Sequence, residues 1–317
     1  MGKSANLKDY PVTAPLNIGI YLKQLILLLR PKHWAKNLFL YIPLFFAGEL
    51  FEINKLIQVT WGVLAFCLIA SAIYILNDYK DIQKDQLHPI KRHRPLAAGK
   101  IAPAMAFVLM GLCILGGLMT AWLISGKFLF VLCLYLILNI AYSLGLKNIS
   151  ILDIFILSTG FVLRIKGGGS IAMVGISQWL MVMVFLLALF LALAKRRDDI
   201  LLKQSSGLEM RNSISGYNLD FLNVSLSVVS AILIVAYLMY TLSPEAIIRL
   251  KTYRLYYTGI FVTAGLMRYL QLIYIEKDTG SPTKILYKDH FIQICIALWI
   301  LSFYCILYFK DLHLFEA

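Results

Sequence analysis

Three aspartates follow one another at a regular spacing in the stretch from Asn77 to Asp85. Asp78, Asp81 and Asp85 stand at positions i, i+3 and i+7, so on an α-helix they fall within about 20–60° of one another. Asn77 extends the same arc. Mg²⁺ suits such a set, because it takes a few carboxylate oxygens and shares its other positions with waters and substrate phosphates. The stretch therefore predicts a Mg²⁺ site for a phosphate-bearing substrate, with the three aspartates as metal ligands and catalytic residues.

A basic loop comes directly after these carboxylates, with Lys91, Arg92 and Arg94 among its side chains. Lysine and arginine neutralise the phosphate oxygens that a bound metal leaves uncovered. These three cations, together with Lys84 and Asn77, are candidate substrate ligands. Two simpler interpretations stay open: a solvated helix end neutralised by its own lysines, and a loop whose positive charge only marks the cytoplasmic side of a membrane.

Further polar side chains stand at the ends of long apolar runs, where they could meet the same phosphates. These candidate substrate ligands are Lys36, Asn37, Tyr142, Lys147, Arg164, Lys195, Arg196 and Arg197. The alternatives are snorkelling for Lys36, contact with outer lipid phosphates for Arg164, and the charge bias of cytoplasmic loops for residues 195–197. Asp153 could orient Lys147 or cap the helix that follows it.

The elements that must position these groups are long and apolar. The chain has 317 residues, 60% of them hydrophobic and 15% charged, against about 45–50% and about 25% in soluble domains. Apolar runs of about 18–25 residues match the hydrocarbon thickness of a bilayer. We therefore expect an all-α membrane protein, one polytopic domain over residues 1–317 with a polar segment at 1–18, and about nine transmembrane helices around a central cavity that opens to the cytoplasmic side. The predicted spans are 37–51, 56–77, 103–124, 127–144, 150–165, 177–194, 219–242, 254–275 and 290–309.

The formal net charge of +13 is concentrated between these spans. Most lysines and arginines fall on the cytoplasmic side if the amino terminus is inside, which is the bias expected of membrane proteins. This predicts an integral protein of the cell (inner) membrane with a cytoplasmic amino terminus and an outer carboxyl terminus. Because the charges flank apolar helices, a nucleic-acid partner is not expected. The sequence does not indicate an oligomeric state.

The pattern NDxxDxxxD at 77–85, followed by HPxKRxRPxAxG at 88–99, resembles the signature of the UbiA-type intramembrane prenyltransferase superfamily. Within it, the chain is similar to the decaprenyl-phosphate phosphoribosyltransferase branch, and the likeness extends from residue 30 to residue 289. The supporting pieces are RPKHWAKN at 30–37, YSLGLK at 142–147 before Asp153, GFVLR at 160–164, AKRR at 194–197, and GSPT at 280–283 with Asp289.

The loop after the sixth span departs from the aromatic branch of that superfamily, which carries a second aspartate-rich motif there. This chain has the adjacent acids Asp198 and Asp199 behind three cations. Adjacent residues lie about 100° apart on a helix, so the two carboxylates are poorly placed to chelate one metal. Compared with a prenyl diphosphate, phosphoribosyl pyrophosphate carries an additional 5-phosphate, and the lipid that accepts the group also carries a phosphate. This additional negative charge favours cations over acids in this loop.

The resemblance implies a membrane glycosyltransferase that moves a 5-phosphoribosyl group from phosphoribosyl pyrophosphate to a polyprenyl phosphate lipid, with Mg²⁺ as cofactor and release of pyrophosphate. The alternative enzyme is an aromatic or quinone-type prenyltransferase that uses a prenyl diphosphate. A transporter or channel would predict paired inverted halves with unwound helices near mid-membrane. No repeat of that kind is evident, and the glycines at 167–169 are expected in a loop rather than within a span.

Overall fold

In the computed structural model, residues 18–206, 212–275, 285 and 288–308 are described, and all their regular secondary structure is helical. The α-helices are α1 (Ile18–Leu29), α2 (Ile42–Ala47), α3 (Ile53–Lys80), α4 (Ile82–Leu87), α5 (Pro103–Ile124), α6 (Gly126–Leu144), α7 (Leu152–Ala172), α8 (Gln178–Ser206), α9 (Leu219–Thr241), α10 (Pro244–Leu250), α11 (Gly259–Tyr274) and α12 (His290–Tyr308). A 3-10 segment at Pro31–Tyr41 joins α1 to α2.

Six of these helices, α3 and α5 to α9, are long and apolar enough to cross a membrane. This confirms an integral membrane protein. The predicted spans at 37–51, 254–275 and 290–309 coincide with helices that are not among these six in the described part of the chain. The expected number of nine spans is therefore not established by helix length, and the segment 276–284, with its GSPT piece, lies outside the described residues.

Helices that are neighbours in the chain also pack as neighbours in space, from α3 through α5, α6, α7, α8 and α9 to α11 and α12. The series closes on itself because α2 contacts the last helix, where the rings of Phe45 and Phe303 stack 5.2 Å apart. Consecutive long helices alternate in direction. The carboxyl ends of α3, α6 and α8 therefore meet the amino ends of α5, α7 and α9, and this end of the bundle carries the candidate functional residues.

The fifth predicted span is wrong in its boundary. We expected it at 150–165 with the glycines 167–169 in a loop, but α7 continues through them to Ala172. A Cβ on Gly168 would lie 2.0 Å from the carbonyl oxygen of Leu40, so the glycine lets the 3-10 segment touch the helix backbone. Small residues at close helix contacts are common in membrane proteins. As a result, Arg164 lies inside α7 and not at its outer end.

The chain turns sharply between α1 and the 3-10 segment. Arg30 has φ 55° and ψ 56°, a left-handed conformation that a non-glycine residue seldom adopts, and Pro31 follows it. Trp34 holds this turn to α3 by donating from its indole nitrogen to the Ser71 hydroxyl at 3.1 Å, and Ser71 donates to the Leu29 carbonyl at 2.8 Å. The turn directs the Arg30 side chain toward the end of α3.

Candidate functional site

The acidic stretch is not one continuous helix. The helix α3 ends at Lys80, Asp81 has φ −96° and ψ 7°, and α4 begins at Ile82. Asp78 and Asp85 are buried, with 2% and 4% of their surface exposed, whereas Asp81 is half-buried. The break at Asp81 separates the three aspartates into a pair and a single residue, which is a different arrangement from the single helix face that the spacing predicted.

Asp78 and Asp85 converge on one arginine nitrogen. Arg94 Nη1 lies 3.1 Å from Asp78 Oδ1 and 2.6 Å from Asp85 Oδ2. Arg30 holds the other side of Asp78 through two hydrogen bonds, one of them from Nε to Oδ2 at 3.2 Å. Its guanidinium also lies 5.0 Å from the ring centre of Tyr74. Two carboxylates and two arginines thus form a compact, partly buried set.

Asp81 has a separate partner. Lys147 Nζ lies 2.9 Å from both of its carboxylate oxygens and 3.0 Å from Asn77 Oδ1. Lys147 comes from the short connection between α6 and α7 and is 8% exposed. The contact joins the predicted acidic motif to the predicted lysine 66 residues later. The carboxylate cluster, as we call it from here, consists of Asp78, Asp81 and Asp85 with Arg30, Arg94 and Lys147.

The donor set of the carboxylate cluster fits Mg²⁺ in part. Oxygens from Asp78 and Asp85 already converge on one cationic atom, and hard oxygen ligands are what Mg²⁺ prefers. Within the described residues, no group of three or more acidic, histidine or cysteine side chains is placed to hold a metal together. Asp78 and Asp85 converge on one point while Lys147 binds Asp81, and the metal-ligand role of all three aspartates remains a prediction.

A second polar group lies between the 3-10 segment and α7. Arg164 is 6% exposed and donates to Asn37 Oδ1 at 2.9 Å, to the Tyr135 hydroxyl at 2.9 Å and to the Gly160 carbonyl at 2.8 Å. Asn37, itself 1% exposed, donates in turn to the Cys67 sulfur at 3.1 Å. Among the described residues no carboxylate pairs with Arg164, so its charge is held by dipoles and aromatic rings alone.

Lys36 lies near this arginine, in a concave region where its side chain is accessible although protein surrounds most of it. The loss of surrounding water, followed by the charges of Arg164 and Arg30, lowers the pKa of the Lys36 amine. The same loss of water, with Lys36 as the next cause, lowers the pKa of His33 to about 4. Burial is the larger cause of both pKa shifts, and the neighbouring cations act in the same direction. Such a group of cations is suited to an anionic ligand.

The predicted cations at the end of α8 do not all point the same way. Arg196 faces α7, where its Nε lies 2.7 Å from Asp153 Oδ2 and its Nη1 lies 2.8 Å from Asp199 Oδ2. Asp153 is fully buried, and its second oxygen accepts from the Tyr217 hydroxyl at 2.7 Å. Lys195 pairs with Asp199 at 3.0 Å and with Asp198. Burial and the bond to Asp153 raise the pKa of Tyr217.

Two expectations about this region change. Among the described residues, Asp153 makes no hydrogen bond with Lys147. Asp153 is also not the cap of α7, since the cap residue is Ile151, which makes no side-chain cap hydrogen bond. Asp153 binds Arg196 instead. Arg197 is turned away from Arg196, toward α9 and α11, where it donates from Nε to Asn223 Oδ1 at 2.8 Å. Successive helix positions are about 100° apart. The structure therefore separates Arg197 from the other predicted ligands.

The remaining candidate substrate ligands differ in their exposure to solvent. Lys84 and Arg92 are exposed, and Arg92 donates to the His93 ring at 3.4 Å. Lys91 is half-buried, and its amide donates to the His88 ring at 3.3 Å. Tyr142 is 8% exposed and lies close enough to Arg196 to interact with it electrostatically. None of these contacts assigns a ligand role, so substrate binding by these residues remains a prediction.

Arg30 was not among the predicted site residues, although it opens the RPKHWAKN piece. Its role depends on the left-handed turn, which no spacing in the sequence indicates. The position of Arg30 in the sequence is the signal that could have identified it as a site residue. An arginine directly before proline, at the end of an apolar run, is suited neither to a helix interior nor to a lipid-facing surface.

The fold and these ion-paired residues define an integral membrane protein whose helices gather buried acids and cations at one end, as an enzyme acting on charged substrates requires. A profile of the UbiA prenyltransferase family matches residues 38–202, and the chain belongs to this family. The chain is 32% identical to the decaprenyl-phosphate phosphoribosyltransferase of Mycolicibacterium smegmatis, over 90% of this chain and 93% of that protein. It is 29% identical to the decaprenyl-phosphate phosphoribosyltransferase of Corynebacterium glutamicum, over 86% and 83%.

The fold is shared with a UbiA homolog from Archaeoglobus fulgidus solved with GPP and Mg²⁺. The TM-score is 0.67 at 21% sequence identity, and the match covers 90% of this chain and 99% of the homolog. A digeranylgeranylglyceryl phosphate synthase gives a TM-score of 0.61 at 18% identity over 90% and 97% of the two chains. At these identities the likeness establishes the fold.

Proposed function

We propose that this protein transfers a 5-phosphoribosyl group from phosphoribosyl pyrophosphate to a polyprenyl phosphate and releases pyrophosphate. The observation that carries the proposal is the similarity, at 32% identity over 90% of the chain, to a phosphoribosyltransferase that acts on decaprenyl phosphate. The composition of the site agrees with it. Asp198 and Asp199 are engaged by Lys195 and Arg196, so the region after the sixth predicted span supplies cations rather than a second acidic metal pair.

The pyrophosphate belongs at the carboxylate cluster. Asp78 and Asp85 would hold Mg²⁺ there, and the ion would supply neutralisation of the negative charge that develops on the leaving group. Arg94 already lies 3.1 Å from Asp78 and 2.6 Å from Asp85, and Lys147 lies 2.9 Å from Asp81. They can therefore move to phosphate oxygens over a short distance when the carboxylates take another partner.

The second anionic group belongs near Lys36 and Arg164, two cations with no ion pair among the described residues. A phosphate there would restore the full charge of the Lys36 amine and compensate the buried guanidinium of Arg164. Asn37 fixes that guanidinium from the 3-10 segment. The two phosphate positions would hold donor and acceptor together against their mutual repulsion.

The chemical step needs little proton transfer. A phosphate oxygen of the lipid, already anionic at neutral pH, forms the bond to C1 of the ribose, while the bond between C1 and the pyrophosphate oxygen breaks and its electron pair leaves with pyrophosphate. No general base is required. Catalysis by the protein consists of positioning the two substrates and neutralising the leaving group.

The location of the reaction forms part of the proposal. Phosphoribosyl pyrophosphate is water-soluble, so we assign the charged end of the bundle to the cytoplasmic side of the cell (inner) membrane, with the amino terminus inside and the carboxyl terminus outside. The basic connection at 91–94 and the basic end of α8 at 195–203 agree with this orientation. The polyprenyl tail would lie in an apolar region between helices that opens to the bilayer.

A two-substrate assay tests the proposal. The purified full chain in detergent is supplied with Mg²⁺, phosphoribosyl pyrophosphate and a polyprenyl phosphate, and pyrophosphate release and the lipid product are measured. We expect both to appear together. The proposal fails if no pyrophosphate is released while a prenyl diphosphate reacts with an aromatic acid, which is the result expected of a quinone-type prenyltransferase.

A further inference from the structure

A groove of about 450 Å³ lies between α8, α9 and α11 on the outside of the bundle. We call it the outer groove. It is lined by Arg197, Asn223, Val224, Ser227, Val228 and Tyr274. Val224 and Val228 are 63% and 51% exposed on α9, a helix long and apolar enough to cross a membrane. The outer groove therefore has an apolar rim on a lipid-facing helix and a polar interior.

Arg197 supplies a positive charge to this interior, with Asp198 as the neighbouring acid that acts on it electrostatically. It is 9% exposed, its Nε donates to Asn223 Oδ1 at 2.8 Å, and its guanidinium lies 5.6 Å from the ring centre of Tyr274. Among the described residues no carboxylate lies within ion-pair distance of it; the ion pair of neighbouring Asp198 is with Lys195. A buried charge without a counter-charge is costly unless an anion or a set of dipoles balances it.

The groups around Arg197 are already oriented. The Tyr274 hydroxyl donates to the Asn223 carbonyl at 2.7 Å and lies 3.3 Å from the Ser227 hydroxyl. The hydrogen bond of Arg197 to Asn223 comes from Nε. Its Nη atoms could therefore donate to a phosphate oxygen in the groove.

We propose that the outer groove binds the phosphate head group of an anionic membrane lipid, with Arg197 as its charged ligand and the apolar rim against the acyl chains. A lipid is favoured over free phosphate because the charge is reached past Val224 and Val228 on a lipid-facing helix, near the start of α9 where head groups would lie. The inference is independent of the proposed reaction. It assigns Arg197 to a structural lipid and not to the donor or acceptor phosphate.

The test uses purified full-length protein in detergent, without any phosphoribosyl donor. Native mass spectrometry measures retention of added phosphatidylglycerol, of zwitterionic phosphatidylcholine, and of phosphatidylglycerol in the presence of excess inorganic phosphate. Arg197→Gln removes the charge, and Val228→Trp fills the groove from its exposed rim without altering Arg197. Lys203→Gln is the matched control, because it removes an exposed cation from the same helix outside the groove.

We expect wild-type protein to retain phosphatidylglycerol over phosphatidylcholine, and both Arg197→Gln and Val228→Trp to weaken this retention at least about tenfold, since a charge-assisted contact is lost or blocked. Lys203→Gln should match wild type. Equal retention in all variants, or of both lipids, would overturn the proposal. Full displacement by inorganic phosphate would also overturn it, because it would assign the groove to a free anion. Thermal unfolding in the same detergent identifies any variant that does not fold, and the other variant then decides.

Discussion

The Lys147 amine lies 2.9 Å from both carboxylate oxygens of Asp81 and joins the end of α3 to the connection between α6 and α7. The two residues are 66 positions apart, so the contact exists only in the folded protein. It holds Asp81 at the end of α3 and leaves Asp78 and Asp85 as the pair that shares Arg94.

Replacement of Lys147 by Met should reduce turnover at least about 100-fold, because it removes the proposed phosphate ligand and leaves the Asp81 charge without its partner, a loss of about 3 kcal/mol in the transition state. Lys147→Arg, which keeps the charge, should recover part of the rate. Pyrophosphate release measures both. Lys127→Met is the control, since Lys127 is exposed at the start of α6, at the other end of the helix. Activity above half of wild type in Lys147→Met would contradict the assignment.

Asp78→Asn and Asp85→Asn should each raise the Mg²⁺ concentration needed for half-maximal activity by at least about tenfold, because each removes one of two converging anionic ligands. A titration of activity against Mg²⁺ measures the change. Asp220→Asn alters an exposed aspartate in the first turn of α9 and should leave the titration unchanged. Unaltered Mg²⁺ dependence in both cluster variants would remove the metal role from these residues.

Asp153→Asn should destabilise the fold by about 3–5 kcal/mol, because it leaves the buried Arg196 guanidinium without its 2.7 Å counter-charge. Tyr217→Phe removes one hydrogen bond to the same carboxylate and should cost about 1 kcal/mol. Thermal unfolding in detergent compares the two. The exposed pair of Lys55 and Glu49 provides the contrast, and Glu49→Gln should change stability by less than about 1 kcal/mol. Equal effects of Asp153→Asn and Glu49→Gln would be inconsistent with a buried ion pair.

Gly168→Ala should lower stability by about 1–3 kcal/mol, since the added methyl group meets the backbone of Leu40 and backbone cannot yield as a side chain can. The displacement would also disturb Asn37, three residues before Leu40, and turnover should fall with stability. Gly111→Ala on α5 is the matched control, because its Cβ would meet nothing within 4 Å. The unfolding temperatures of the two variants should therefore move apart, and a Gly168→Ala protein as stable as Gly111→Ala would refute the close contact.

The lowered pKa of Lys36 predicts pH-dependent substrate binding. A bound phosphate would raise that pKa again, so binding takes up a proton wherever the free amine is partly neutral. Affinity for the polyprenyl phosphate, whose phosphate we assign to Lys36, should be greatest below the lowered pKa and fall as the pH rises from there toward the ordinary lysine value of 10.5. Calorimetry in two buffers of different ionisation enthalpy measures the proton uptake. Lys36→Arg, which stays charged, should abolish the proton uptake. Identical proton uptake in the wild type and the variant would contradict its assignment to the Lys36 amine.

The membrane class and several site residues could be predicted from the sequence because both depend on local patterns. Long apolar runs indicate spanning helices whatever their partners. The acids of the NDxxDxxxD stretch and Lys147 were singled out by type and position, and the structure brings Asp81 and Lys147 together. The contacts between these side chains could not be predicted. Arg94 bridges Asp78 and Asp85 only because of a loop conformation that residue spacing does not encode.

The errors had a common physical cause, which is tertiary packing that overrides local preference. Glycines at 167–169 favour a loop by intrinsic propensity, yet they continue α7 because all three have close neighbours there, with Gly168 against the Leu40 backbone. That extension moved Arg164 from a predicted outer interface to a buried position beside Asn37. Arg197 was grouped with Arg196 because they adjoin in sequence, although the helix turns them toward different neighbours.

The carboxylate cluster is electroneutral as it stands, with three acids facing three bases in its ion pairs. A ligand that brought only negative charge, or only positive charge, would leave one half of the cluster uncompensated. A metal–diphosphate complex brings both signs at once, so the acids and the bases could exchange partners with little net charge created. The cluster would then work as a small ion exchanger that favours the assembled complex over either of its ions alone.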